Sequence, residues 1–286
     1  MPTLYIVGTP IGNLEDLTPR AARVLAEVSL VAAEDTRVTR RLLSHLGIRP
    51  RTTSFHQHNW RDKLEGVLAE LDGGDVALVT DAGMPGISDP GAELVAAAAQ
   101  AGFSVEVVPG PSAVTAALAL SGFPGDAFSF LGFLPRRKKD RQSALRQSAA
   151  SPVPLVLFEA PHRLRATLAD VDSVFGERSL AVCRELTKIY EEVFRGSAAD
   201  ALEHFVSPRG EVVVVIQGAT PQESVSLDSV ASDGEANLDA DLRLKLSALR
   251  RDGVRAKDAV AQVALTTGLA KNRVYQVWVE LGREAK

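Results

Sequence analysis

The chain has 286 residues, a formal net charge of −4, and a composition 45% apolar, 24% charged and 5% aromatic, which is the make-up of a soluble globular protein of about two domains. Its one cysteine, Cys183, excludes an intramolecular disulfide framework, a Cys-ligated zinc site and a three-cysteine iron–sulfur cluster. The start lacks a basic region followed by a long apolar run, and no window approaches 18 apolar residues, so the expectation is a cytoplasmic protein.

Short apolar runs bounded by turn residues read as strands at 3–7, 30–33, 76–80 and 105–108. Helical patterns lie between them. One covers 19–28, with Thr18 as N-cap and Pro19 at the first helical position. Others cover 37–46, ending at Gly47, then 60–71 and 91–101. Strand–helix alternation predicts a parallel sheet with right-handed crossovers, placed at residues 1–118. A second α/β set, at 119–218, has strands at 128–131, 155–158, 180–183 and 212–216, with helices near 140–150, 163–175 and 198–206.

Residues 219–241 hold six acidic and no basic residues, whereas 242–286 hold ten basic and four acidic. This predicts an acidic linker and then a basic helix-turn-helix-like piece, with helices at 255–265 and 270–282 around Gly268. The same pattern also fits a plain helical hairpin.

Four strand ends of the first set carry loop signals. The first reads Val7-Gly8-Thr9-Pro10-Ile11-Gly12-Asn13-Leu14, neither a Walker A nor a G-x-G-x-x-G sequence, so ATP and NAD lose support. The second reads Ala33-Glu34-Asp35-Thr36-Arg37. The third, Asp81 to Gly91, packs three glycines, two prolines, two aspartates and a serine into eleven residues. No helix or strand tolerates that content, and its backbone needs several special conformations. The fourth, Pro109-Gly110-Pro111-Ser112-Ala113, opens a helix whose free N–H groups suit a carboxylate or hydroxyl. Open α/β sheets bind ligands beyond the carboxyl ends of their strands, so four such loops on one edge predict a cleft.

These four stretches, together with Gly132-Phe133-Leu134-Pro135, Phe158-Glu159-Ala160-Pro161-His162-Arg163-Leu164 and Arg184-Glu185-Leu186-Thr187-Lys188, resemble the bacterial small-subunit ribosomal RNA 2′-O-cytidine methyltransferase family of the tetrapyrrole methylase superfamily. The resemblance spans about residues 3–218, and the basic tail also fits it. It implies two α/β domains of tetrapyrrole methylase type with the ligand cleft between them, S-adenosyl-L-methionine as methyl donor, small-subunit ribosomal RNA or the assembled subunit as acceptor, and a homodimer. Carried over by motif, the donor touches Pro10, Ile11 and Gly12, Asp81, Ala82, Gly83, Met84, Pro85 and Ser88, Ser112 and Ala113, Glu159 and Ala160, Leu186 and Val212. The chain departs from the family pattern at Val38, where a histidine is expected, at Trp60, where an acidic residue is usual, and at Met84 and Gly86.

Ribose methylation needs a group to take the hydroxyl proton, and the candidates are Glu34, Asp35, Asp81 and Glu159. Asp35 and Glu34 are favoured because their loop faces the cleft; Asp35 reads equally well as the N-cap of the helix that follows. Candidate RNA contacts are Arg37, His56, the basic run 136–141 (above all Arg136, Arg137 and Lys138), Lys188, Lys271 and Arg273. Lys188 and Arg184 equally fit ion pairs with Glu185 and Glu191. His56 and His58 lack a third ligand, so no metal is expected. Two rivals remain at this level: a methyltransferase acting on a precorrin-like small molecule, and a non-catalytic RNA-binding protein of ribosome assembly.

Overall fold

The structure is a computed structural model that describes residues 2–220, 242–250, 254–267 and 271–284. It divides into two compact units, Met1–Gly218 and Ala219–Lys286.

The first unit is built on two five-stranded sheets. In the first, β1 (Thr3–Val7), β2 (Leu30–Ala33), β3 (Arg51–Ser54), β4 (Val76–Val79) and β5 (Ser104–Val108) lie in the order β3-β2-β4-β1-β5, all parallel. Side chains alternate between its faces. Val7, Val31, Ala33, Ala77 and Val79 join the core beneath α1 (Pro19–Glu27) and α2 (Thr36–His45). Leu4, Ile6, Leu30, Ala32, Val76 and Leu78 join the core beneath α3 (Trp60–Gly73) and α4 (Ala92–Gln100). With both faces covered, the inner strands read as continuous apolar runs, which is why they were legible in sequence. Strand β3 was not anticipated: Arg-Thr-Thr-Ser at a sheet edge carries no apolar signal. Thr18 caps α1 as expected, accepting from the Ala21 amide at 3.1 Å.

Helix α5 (Ala113–Ser121) carries the chain into the second sheet and packs against it. That sheet holds β6 (Ser129–Phe133), β7 (Leu155–Glu159), β8 (Leu180–Arg184), β9 (Glu192–Gly196) and β10 (Val212–Ile216), in the order β6-β7-β10-β8-β9. Only β6 and β7 run parallel; β10 is antiparallel to both its neighbours, and β8 to β9. Edge strand β9, which the sequence reading missed, is partly exposed along its whole length. Helices α6 (Lys138–Gln147), α7 (Pro161–Phe175) and α8 (Ala198–His204) complete this half. Helix α6 begins two residues before the expected 140 and ends before the expected 150. Ile11 from the first sheet's loop shares one core cluster with Val114, Ala117 and Leu118 of α5 and with Val156, Cys183, Leu186 and Val213, so the two halves are joined by packing.

In the second unit, α9 (residues 242–250), α10 (Ala256–Thr267) and α11 (Lys271–Glu284) enclose Leu242, Leu246, Ala259, Val263, Ala264, Val274 and Trp278. Helix α9 was not anticipated. The expected linker at 219–241 lies almost wholly outside the described residues, as does the expected turn glycine Gly268.

Candidate active site

Because β2, β4, β1 and β5 are neighbours, the four signal-bearing loops emerge side by side. They are also sewn together. Gly8 donates its amide to the Val108 carbonyl (2.9 Å), while Thr9 and Gly83 exchange both amide bonds (2.9 and 3.1 Å). The Thr9 hydroxyl donates to the Thr80 carbonyl at 3.1 Å. Gly83 makes this bridge with φ +86°, a conformation open to glycine without strain. Gly8 and Gly110 let the first and fourth loops touch, since a Cβ on Gly110 would lie 2.8 Å from Gly8 backbone atoms.

A cavity of about 430 Å³ opens where these loops face the second sheet. Its first-half walls include Ile11, Glu34, Thr80, Asp81, Gly83, Met84, Ile87, Ser88, Asp89, Ser112 and Ala113. The second half contributes Phe133, Phe158, Glu159, Ala160, Cys183, Leu186, Glu211, Val212 and Val213. The volume falls in the range of small-molecule sites, and the lining is apolar with a few converging polar groups.

Of the expected donor contacts, Ile11, Asp81, Ala82, Gly83, Met84, Ser88, Ser112, Ala113, Glu159, Ala160, Leu186 and Val212 line this cavity. Pro10, Gly12 and Pro85 stand outside the lining and shape its loops instead. A Cβ on Gly12 would lie 2.5 Å from Lys188 Cγ, so Gly12 sits against the Leu186–Lys188 segment.

The carboxylates separate by environment. Asp35 caps α2, accepting from the Arg37 amide at 2.8 Å, and its side chain is held by the Arg37 guanidinium at 2.6 Å. The guanidinium hydrogen bond lowers its pKa to about 2. So Asp35, expected among the proton acceptors, stands outside the cavity lining and spends its oxygens on capping and pairing. Glu34 does line the cavity; its Oε2 accepts from the Thr80 hydroxyl (2.5 Å) and the Asp81 amide (3.2 Å). Asp81 Oδ1 accepts from the Asp35 amide at 3.0 Å, and burial, then the Glu34 charge, raises its pKa. Asp89, which sequence reasoning passed over, lines the same wall; burial first, then Glu34, pushes it up to about 6. Glu159 is buried and fully engaged: Thr167 Oγ1 donates at 2.5 Å, the Ala160 amide at 2.9 Å, and Arg163 pairs at 3.2 Å. Its role is to fix the start of α7, and it has no free position for an incoming proton. Cys183 lines the cavity as a thiol raised to about 11 by burial.

The expected RNA contacts are scattered. Arg136, Arg137 and Lys138 stand exposed after β6, close in sequence to Phe133 at the cavity mouth. The last member of their run is different. Arg141 is 6% exposed and pairs with buried Asp170 at 2.6 Å, so it is a structural arginine and not a phosphate contact. Lys188 is tied to Glu185 (2.8 Å) and Glu211 (3.0 Å); burial opposes its charge, but these hydrogen bonds outweigh that and raise its pKa. Arg184 pairs with Glu192 at 2.7 Å, not with Glu191. Arg37 is exposed and paired with Asp35. His56 is half-buried in a turn, its amide donating to Asn59 Oδ1 at 2.8 Å. Lys271 and Arg273 are exposed on the first turn of α11 in the second unit.

Comparison with known proteins agrees with this architecture. Residues 3–202 match the family of tetrapyrrole (corrin/porphyrin) methylases. A protein of Synechocystis sp. named ribosomal RNA small subunit methyltransferase I is 44% identical over 98% of this chain and 99% of its own. Proteins of the same name from Thermotoga maritima and Escherichia coli O157:H7 are 47% identical over 76% of this chain (99% of theirs) and 41% identical over 97% (94% of theirs). Among solved structures, uroporphyrin-III-C-methyltransferase from Thermus thermophilus superimposes with a TM-score of 0.55 at 22% identity, covering 80% of this chain and 98% of that one, a likeness of fold. With two joined α/β halves, a cleft at the strand ends and near-full-length relatives, the chain belongs to the tetrapyrrole methylase family, in the group of the ribosomal RNA small subunit methyltransferase I proteins.

Proposed function

We propose that this chain transfers a methyl group from S-adenosyl-L-methionine to the ribose 2′-hydroxyl of a cytidine in small-subunit ribosomal RNA. The observation that carries this reading is the cavity at the carboxyl ends of β1, β2, β4 and β5, in a chain whose relatives align along almost its full length.

The residues present fit such a donor. Its sulfonium and ammonium are cationic, and Glu34, Asp81 and Asp89 place three carboxyl groups on one wall. Its carboxylate suits the start of α5, where Ser112 makes no side-chain cap and the first amides face the cavity edge. Its adenine suits the apolar side formed by Ile11, Leu186 and Val213. When bound, the donor supplies an electrophilic methyl carbon on a sulfonium that leaves as a neutral thioether. The protein's part is to hold the hydroxyl in line with that carbon, exclude water and take up the proton. Phe133 is 57% exposed although it lines the cavity, and its ring lies 5.6 Å from that of Phe158; with exposed Ile87 opposite, it offers an apolar edge on which an unstacked base can rest. Arg136, Arg137 and Lys138 suit flanking phosphates, and Lys271 and Arg273 suit contacts from the second unit. We further propose that the protein works as a cytoplasmic homodimer, which sedimentation of the purified chain tests.

The deciding experiment is transfer of labelled methyl to small ribosomal subunits purified from a strain lacking this protein. Label at a cytidine 2′-oxygen is the expected result. No label on RNA, with the donor still bound, would refute the acceptor assigned here.

A further inference from the structure

We propose that Asp89 is the group that accepts the proton of the attacking ribose hydroxyl, with Thr80 and Glu34 forming the relay behind it. The inference rests on the reading of the site as a ribose methyltransferase centre.

The other carboxylates of the cavity are already committed. Glu34 Oε2 takes the Thr80 hydroxyl proton at 2.5 Å and the Asp81 amide at 3.2 Å. Asp81 Oδ1 takes the Asp35 amide at 3.0 Å. Glu159 is saturated by Thr167, Arg163 and its neighbouring amide. Glu211 is on the exposed rim, paired with Lys188. Asp89 faces Glu34 at the end of β2 and Asp81 at the end of β4, with Arg37 of α2 behind Asp81. Glu159, Cys183 and Glu211 line the same cavity from the second sheet. Among the described residues Asp89 has no cation paired with it; its hydrogen-bond partner is Thr80.

Thr80 has one hydroxyl proton, and the short contact to Glu34 uses it. What Thr80 then offers Asp89 is a lone pair, which is satisfied only when Asp89 carries a proton. The arrangement Asp89–H···Thr80–H···Glu34 thus stabilises Asp89 in the state it reaches after the reaction. The loop is held for this purpose under strain: Ser88, immediately before Asp89, adopts φ +61°, unusual for a residue with a side chain. Ser88 also meets the second half, because a Cβ on Gly132 would lie 3.3 Å from its Oγ. In the step itself, the ribose oxygen forms a bond to the methyl carbon as the carbon–sulfur bond breaks. The bonding pair leaves on sulfur, the hydroxyl proton passes to Asp89, and Asp89 releases it to water. A carboxyl raised to about 6 is deprotonated at neutral pH yet more basic than an ordinary aspartate.

The test uses the full-length protein and small subunits lacking the methyl group. For the wild type, kcat/KM should rise with pH and level off near 6, and carbon-detected NMR of labelled aspartate should show Asp89 titrating in the same range. Asp89→Asn should lose transfer by roughly 10²–10⁴-fold, lose the rising limb, and bind the donor within a few-fold of wild type by calorimetry. Asp89→Glu should recover part of the rate together with the limb. A wild-type enzyme that transfers label while Asp89→Asn stays within five-fold of it, or a wild-type Asp89 that titrates near 4, overturns the proposal and leaves the methyltransferase reading intact. A wild-type protein that binds donor but labels no RNA overturns both.

Discussion

Replacing Asp89 by asparagine should stabilise the protein at alkaline pH, and the size of the gain follows from its surroundings. The folded state raises this carboxyl from 3.8 to about 6, chiefly through burial and then the Glu34 charge. The folded chain therefore holds the proton more tightly than the unfolded one. The stability this group contributes is complete below about pH 4 and is lost as pH rises through 6. A rise of that size corresponds to about 3 kcal/mol if the group were fully desolvated. Asp89 is only half-buried, and solvent screening reduces this to about 1–1.5 kcal/mol. Asparagine has nearly the same shape and does not titrate. Asp89→Asn should thus match the wild type near pH 4 and exceed it by about 1–1.5 kcal/mol at pH 8, some 3–5 °C in Tm for a body of this size. Urea unfolding followed by circular dichroism at pH 4, 6 and 8 measures the difference. A variant equally stable at pH 4 and 8 relative to wild type, or less stable at pH 8, would refute the argument that this carboxylate is held in an unfavourable environment for the sake of its chemistry.

Asp170→Ala should lower stability by about 3–5 kcal/mol, because it strands the buried Arg141 guanidinium; thermal unfolding checks this. In contrast, Arg136→Ala and Arg137→Ala, on exposed positions, should leave unfolding unchanged and weaken RNA binding with a smaller dependence on salt. Gly110→Ala should force the first and fourth loops apart, costing about 1–3 kcal/mol of stability and most donor affinity by calorimetry, since its Cβ meets Gly8 backbone at 2.8 Å. Phe133→Ala should leave the melting temperature nearly unchanged and cut kcat/KM for the RNA substrate by roughly ten-fold, the scale of one lost base–aromatic stack.

The inner strands were legible because both faces of their sheets are covered: β1, β2 and β10 occupy the very residues expected from their apolar runs. The edge strands β3 and β9 were not, since a strand paired on one side and open to water on the other needs no apolar run. Helix α9 did carry a signal, with Leu242, Leu246 and Leu249 at helical spacing, but it follows the acidic stretch and was absorbed into it. At the site, the glycine–proline loops pointed to the cleft correctly, because backbone conformations that only such residues reach are encoded locally. The assignment of individual charges went less far. Asp35 and Glu34 are adjacent in sequence, yet one is spent on capping α2 and the other faces the cavity.

The sequence by itself determined the alternation of strands and helices, the positions of the four special loops and the family to which their motifs point. These are local properties: period, turn chemistry and composition act within a few residues of one another. Only the tertiary structure decided which charge does what. Arg141 became structural because Asp170, 29 positions away, meets it in a dry interior. Asp89 became distinctive because Thr80 and Glu34, on neighbouring strands, fix the direction of one hydroxyl proton. Ionisation depends on burial and on the nearest charges in space, and neither can be read from neighbours along the chain.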